Sequence, residues 1–147
     1  MKSIENKVQK TSPIDYFINF LLDYKVKINR LDDDNISGDF KTDDYHIVID
    51  VQQKKEDDET ILRVHFSLPY TKHNMSKNMM EKYATEFNKK ETKTICNITE
   101  GFESELYPVL TTDIVIDSNN IKKDFEAVLK RSLGGVKVFI EKDKERR

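Results

Sequence analysis

The chain has 147 residues, 37% hydrophobic and 35% charged, and its 25 basic and 27 acidic side chains leave a formal net charge of −2. That is about one domain of lean but foldable composition, in which eight Phe and six Tyr supply large buried areas. Near-cancelling charge argues against a polyanion-binding protein, the lone Cys96 excludes an intrachain disulfide and points to a reducing, cytoplasmic compartment, and no apolar run suits a signal peptide or membrane span.

Residues 1–11 are polar and are expected to form a flexible N-terminus. Ser12-Pro13-Ile14-Asp15 reads as a helix start, with Ser12 as cap, Pro13 at the first helical position and Asp15 complementing the positive helix end. Behind it Ile14, Phe17, Ile18, Leu21 and Leu22 form one helical apolar stripe. Residues 26–69 then read as an antiparallel meander of three strands. The first begins at Val26 and Ile28 and is followed by a polar turn over Asp32 to Asn35. The next two alternate through Tyr45, Ile47, Ile49 and Val51, and through Leu62, Val64, Phe66 and Leu68. A charged loop from Lys54 to Glu59 joins these two, and Pro69 closes the meander.

A second helix is predicted from Asn74 or Ser76, carrying Met79, Met80, Tyr83 and Phe87 inward. Strands over 92–99 and 105–116 follow, joined at Gly101, with Pro108 pointing to an edge position or a bulge. The last helix is capped near Ser118 or Asn119 and carries Ile121, Phe125, Val128, Leu129 and Leu133. Gly134-Gly135 could end it. The apolar phase persists through Val136, Phe139 and Ile140, which favours continuation. The expectation is a single α+β domain over 12–142 with a charged tail over 143–147, in which three helices pack an antiparallel five-stranded sheet in the order α-βββ-α-ββ-α.

That order, with Tyr83-Ala84-Thr85-Glu86-Phe87-Asn88 closing a helix before Thr94-Ile95-Cys96, then a long strand and a capped last helix, resembles the YbjN-type family. The fold of that family looks like that of the type III secretion chaperones, and it often places an Asn-containing segment of this kind before its fourth strand. The resemblance covers roughly residues 12 to 142. It implies a non-catalytic, often dimeric domain that binds other proteins.

The residues offer few chemical motifs. Gly38, Gly101, Gly134 and Gly135 build no phosphate loop, dinucleotide fingerprint or nucleophile elbow, so no cofactor is expected. Asp33, Asn35, Ser37 and Asp39, with Gly38 between and Asp44 at the twelfth place, follow the spacing of a calcium loop. The same residues suit an acidic Asx-type turn between strands. His46 and His65 share a polar strand face with Asp50 and Ser67 and could approach across a hairpin, whereas His73 and Cys96 lie too far off to complete a zinc site. Cys96 reads as a small half-buried strand residue rather than a nucleophile.

Charge is unevenly distributed. Residues 31–60 hold eleven acidic side chains and three lysines, a net of −8, while residues 119–147 hold nine basic and five acidic ones, a net of +4. Such a split suits guided assembly with a second subunit or another protein. The basic stripe of the last helix is too broken for a nucleic-acid footprint. The expected function is therefore non-enzymatic protein binding of chaperone or adaptor type by a homodimer, through an exposed sheet face and strand edge that include Val48, Arg63, His65 and Tyr107. The alternative is a metal- or ligand-binding regulatory module using the acidic loop 33–44.

Overall fold

Alternating strands present one apolar face each, and amphipathic helices one apolar stripe, so the stable arrangement stacks stripes on faces. The computed structural model describes residues 12–42, 45–68, 75–101, 105–116 and 119–145 and shows this arrangement. Its elements are α1 (Pro13–Asp23), β1 (Lys27–Arg30), β2 (Asn35–Thr42), β3 (Tyr45–Glu56), β4 (Glu59–Ser67), α2 (Lys77–Lys90), β5 (Thr94–Glu100), β6 (Leu106–Val115) and α3 (Ile121–Lys144). The six strands form one antiparallel sheet in the spatial order β1-β2-β3-β4-β6-β5. The expected N-terminal tail, Asp44, Pro69, His73 and Ser118 lie outside the described residues.

The five-stranded expectation is corrected to six strands, in the order α-ββββ-α-ββ-α. The added strand is β2, whose residues include turn formers such as Asn35, Ser37, Gly38 and Asp39. Pairing overrides that local preference, because β2 is paired with β3 along its whole length and with β1 over Ile36 to Asp39. The charged loop expected over 54–59 also shrinks: Glu56 pairs with Glu59, and only Asp57 and Asp58 turn the chain. Both have positive φ, 50° and 67°, as the twist of a two-residue hairpin requires. Pro108 sits in an inner strand, but just beyond Val109, where pairing with β4 ends, so its missing N–H breaks no ladder on that side.

The core lies between the sheet and the three helices. From β3 come Tyr45, Ile47, Ile49 and Val51, and from β4 Leu62, Val64, Phe66 and Leu68, all almost fully buried. α1 supplies Ile14, Phe17 and Leu21. Its Ser12 makes no side-chain cap; the hydroxyl donates instead to Asp15 Oδ2 at 2.9 Å. The first-turn N–H of Ile14 is satisfied from the sheet, by Gln53 Oε1 at 3.0 Å. α2 starts next to Ser76, one of the two expected positions, and Ser76 caps it, with Met79 N–H donating to Ser76 Oγ at 3.3 Å.

α3 runs unbroken through both glycines for 24 residues. It is tied to the rest at three places. Near its start Phe125 meets Phe17 edge-on, with ring centroids 4.7 Å apart. At its middle a β-carbon on Gly135 would collide with the Leu110 side chain and stand 3.0 Å from Phe87 Cε2, so the helix backbone lies directly on β6 and α2. At its end the Tyr45 hydroxyl donates to Asp143 Oδ2 at 2.6 Å. Asp143, read from sequence as the start of a charged tail, is thus a fully buried residue of the last helical turn.

The two neighbouring glycines should respond oppositely to alanine. Gly134 has nothing within 4 Å of a β-carbon, so Gly134→Ala gains up to about 1 kcal/mol of helix propensity. Gly135→Ala overpacks a closed contact and loses about 1–3 kcal/mol. Urea unfolding of the two variants measures both signs.

Candidate protein-binding surface

Because all three helices pack against the same side of the sheet, the opposite side carries no helix among the described residues. Strand alternation puts alternate residues there. The register arranges them in rows. One row runs Asp39, Val48, Ser67, Val109, Asn97 across β2, β3, β4, β6 and β5. The next runs Ser37, Asp50, His65, Thr111, Ile95, and a third Asn35, Gln52, Arg63, Asp113. Beyond it Ile61 and Val115 face each other.

Of the residues read from sequence as contacts, Val48, Arg63 and His65 lie in three adjacent rows, and Tyr107 lies on the same face toward the β5–β6 end. Val48 is half-buried at the sheet's centre beside Ser67 and Val109. Arg63 is held flat by a bidentate pair with Asp113, Nε to Oδ1 at 2.8 Å and Nη2 to Oδ2 at 2.9 Å. The hydrogen bond from Arg63, followed by its charge, holds the Asp113 carboxyl below the usual range despite some burial. His65 Nδ1 lies 2.8 Å from Thr111 Oγ1. Burial lowers its pKa, Arg63 adds to that, and the carboxylates of Asp50 and Asp113 oppose it. Tyr107 packs its ring over Gly101, where a β-carbon would stand 2.7 Å from Tyr107 Cε1.

The sequence reading missed Val109, Thr111, Asp113, Ile95 and Val115. Strict alternation along 106–115 was the available signal for four of them. Ile95 and Val115 are the most open apolar side chains of this face, 53% and 51% exposed.

The two histidines do not meet. His65 stands opposite Asp50, and His46 is four residues, roughly 13 Å, further along β3. His46 Nε2 instead approaches Asp39 Oδ2 at 3.3 Å. Cys96 is fully buried on the core side, and burial pushes its thiol up to about 12, which makes it inert as a nucleophile. Four clefts of about 390 to 580 Å³ run along α3 and β5, and none of the four is lined by His46, Asp50 or His65.

The calcium-like spacing lands on a turn and a strand. Asp34 N–H donates to Asp32 Oδ1 at 2.8 Å, and Asn35 Nδ2 donates to both Asp32 oxygens at 2.9 and 3.0 Å, so Asp32 closes an Asx-type turn over this segment. Asn35, Ser37 and Asp39 follow on one face of extended β2, about 7 Å apart in succession, and cannot wrap one ion. Gly38 serves packing rather than a loop turn, since a β-carbon there would stand 2.9 Å from Val26 Cγ1 and 3.0 Å from Ile28 Cδ1. Among the described residues no group of three or more His, Cys, Asp or Glu is placed to hold a metal ion.

The open strand edge is partly occupied as well. β5 is an outer strand, and Asn88 of α2 takes both backbone groups of Cys96: Nδ2 donates to the carbonyl and the N–H donates to Oδ1, each at 2.8 Å. The face, unlike this edge, is left uncovered among the described residues. Also among the described residues, no helix is long and apolar enough to cross a membrane. Comparison with protein-family models, with curated sequences and with solved structures gives no match.

Two measurements follow from this geometry. The folded protein disfavours protonation of His65, so the unfolded chain takes the proton first as pH falls through about 6.5. The stabilisation is complete above that value and is lost below it. His65→Gln should therefore lose less stability between pH 7 and 5 than the unsubstituted chain, measured by denaturant unfolding at each pH. Millimolar calcium should leave the amide resonances of residues 32–42 unshifted; saturable shifts there would restore a cation site.

Proposed function

We propose that the chain is a non-enzymatic protein-binding domain of chaperone or adaptor type that engages its partner through the helix-free sheet face. The observation that carries this reading is the row of Val48, Ser67 and Val109 at the centre of that face, bordered by the pinned side chains of Arg63–Asp113 and His65–Thr111. Half-buried apolar groups framed by fixed polar ones suit a protein surface, because little side-chain entropy remains to be lost on docking. A flat face also suits a protein better than a small substrate, which needs a concavity.

The resemblance to YbjN-type proteins and type III secretion chaperones points the same way and belongs to this proposal. The element order behind it has three strands where the molecule has four. The face therefore carries more of the argument than the order does.

The test compares the full chain with a Val48→Glu/Val109→Glu variant as bait in native lysate. The expected result is one stoichiometric protein retained by the unsubstituted chain and lost from the variant, with the variant's far-ultraviolet spectrum and melting temperature close to normal. An unsubstituted chain that retains nothing, or a folded variant that retains the same protein, overturns the reading.

A further inference from the structure

The opposite side of the molecule carries a second surface, along the outer ridge of α3. Two clefts flank this ridge, one of about 540 Å³ against Phe87 and Val138 and one of about 580 Å³ against Tyr24 and Leu133. Both reach Lys130 and Gly134, so the ridge between them narrows to a bare backbone at Gly134. Tyr24 is 51% and Val138 42% exposed. No neighbour in the chain's own fold requires Gly134 to lack a side chain, because a β-carbon there meets nothing within 4 Å. A glycine inside an exposed helix costs about 1 kcal/mol against alanine. Close approach of another backbone is what such a residue permits.

The charges along the ridge indicate which backbone. Lys130 and Val138 stand four residues either side of Gly134, Ala127 and Glu141 seven, and Lys123 and Glu145 eleven. Steps of three and four keep all of these on one helix face. All but Ala127 are exposed. On this face the N-terminal half carries Lys123 and Lys130 and the C-terminal half Glu141 and Glu145, so the ridge is basic toward one end and acidic toward the other. Arg131 is turned away from the ridge, with Nε 3.2 Å from Thr94 Oγ1 and 3.7 Å from Glu91 Oε1. A second α3 running antiparallel across this ridge therefore meets complementary charge along its length.

We propose that α3 is the contact of a two-fold symmetric homodimer, two antiparallel helices crossing at Gly134. In that arrangement the partner's Glu141 lies opposite Ala127 with Lys123 and Lys130 one turn to either side. Glu145 already meets Lys142 of its own helix at 3.7 Å, so Glu141 carries most of the pairing. The aliphatic part of the partner's ridge fills the cleft beside Val138, and ridges sit in grooves as in other helix pairs. This surface faces away from the sheet face of the proposed function and stands or falls independently of it.

The test is the solution mass of the full chain by analytical ultracentrifugation across the micromolar range. The unsubstituted chain should sediment at twice the chain mass. Gly134→Leu should be monomeric while its melting temperature stays within a few degrees. Lys123→Glu/Lys130→Glu and Glu141→Lys should each weaken dimerisation at least tenfold, and an equimolar mixture of the two should recover a heterodimer. A monomeric unsubstituted chain, a folded Gly134→Leu dimer of unchanged affinity, or a mixture that stays monomeric overturns the proposal. The sheet-face variant Val48→Glu/Val109→Glu should keep the dimer mass; loss of the dimer there would move the contact to the sheet and overturn the proposal too.

Discussion

The contact of Gly135 with Leu110 and Phe87 sets the height of the longest helix above the sheet. With no side chain at that point, α3 descends until Val136, Phe139 and Ile140 reach the core, all three almost fully buried. The same descent brings the helix end to β3, where Asp143 accepts the Tyr45 hydroxyl. A methyl at Gly135 would lift the middle of the helix and strain the aromatic contact at one end and the buried hydrogen bond at the other. The lowered helix also closes the core from one side only. With α1 and α2 on that side as well, the sheet's second face is left to be stabilised by its own side chains.

That second face is ordered by cross-strand pairs rather than by a covering layer. Arg63 and Asp113 are substantially exposed, so their ion pair contributes little to stability, about 0–1 kcal/mol. Its structural effect is to hold two long polar groups in one geometry across β4 and β6. Thr111 does the same for His65, whose partial burial disfavours protonation of the ring. The edges are handled differently. β1 has only four residues and begins with Lys27, and β5 is engaged by the side chain of Asn88 at its middle. Short, charged or occupied edges discourage strand addition, which leaves docking on the face as the more accessible mode.

Patterns that act within one element were legible in the sequence. The apolar stripe of α1, the Ser76 cap, the alternation of β3 and β4 and the persistence of the helical phase across Gly134-Gly135 all depend on near neighbours. β2 was not legible, because its residues individually favour turns and become a strand only through two flanking partners. The same segment supplied a misleading metal-like spacing: Gly38 answers to Val26 and Ile28 on β1, not to a tight loop. Links over long separations, such as Gln53 to the start of α1 and Tyr45 to Asp143, have no sequence signature, since each needs the fold to bring its partner near. The site was read by parity. Val48, Arg63, His65 and Tyr107 share a face because strands alternate; alternation also puts Thr111 and Asp113 there, but that they stand opposite His65 and Arg63 depends on register between strands far apart in sequence, which is not encoded locally.

The charge asymmetry of the chain takes a different meaning once placed on the fold. Among the described residues, the acidic side chains of 31–60 sit on β2, β3, the start of β4 and the turns at 32–34 and 57–58. The basic surplus of the C-terminal part lies largely on one helix, whose outer ridge is basic at Lys123 and Lys130 and acidic at Glu141 and Glu145. A uniformly positive ridge would repel its own copy, whereas the proposed antiparallel pairing would set the basic half of one ridge against the acidic half of the other. The acidic side has no such internal balance, so a partner at the proposed sheet face would be favoured by basic groups. Self-association and partner binding would then draw on different charges on opposite sides of the sheet, and neither would have to compete with the other for surface.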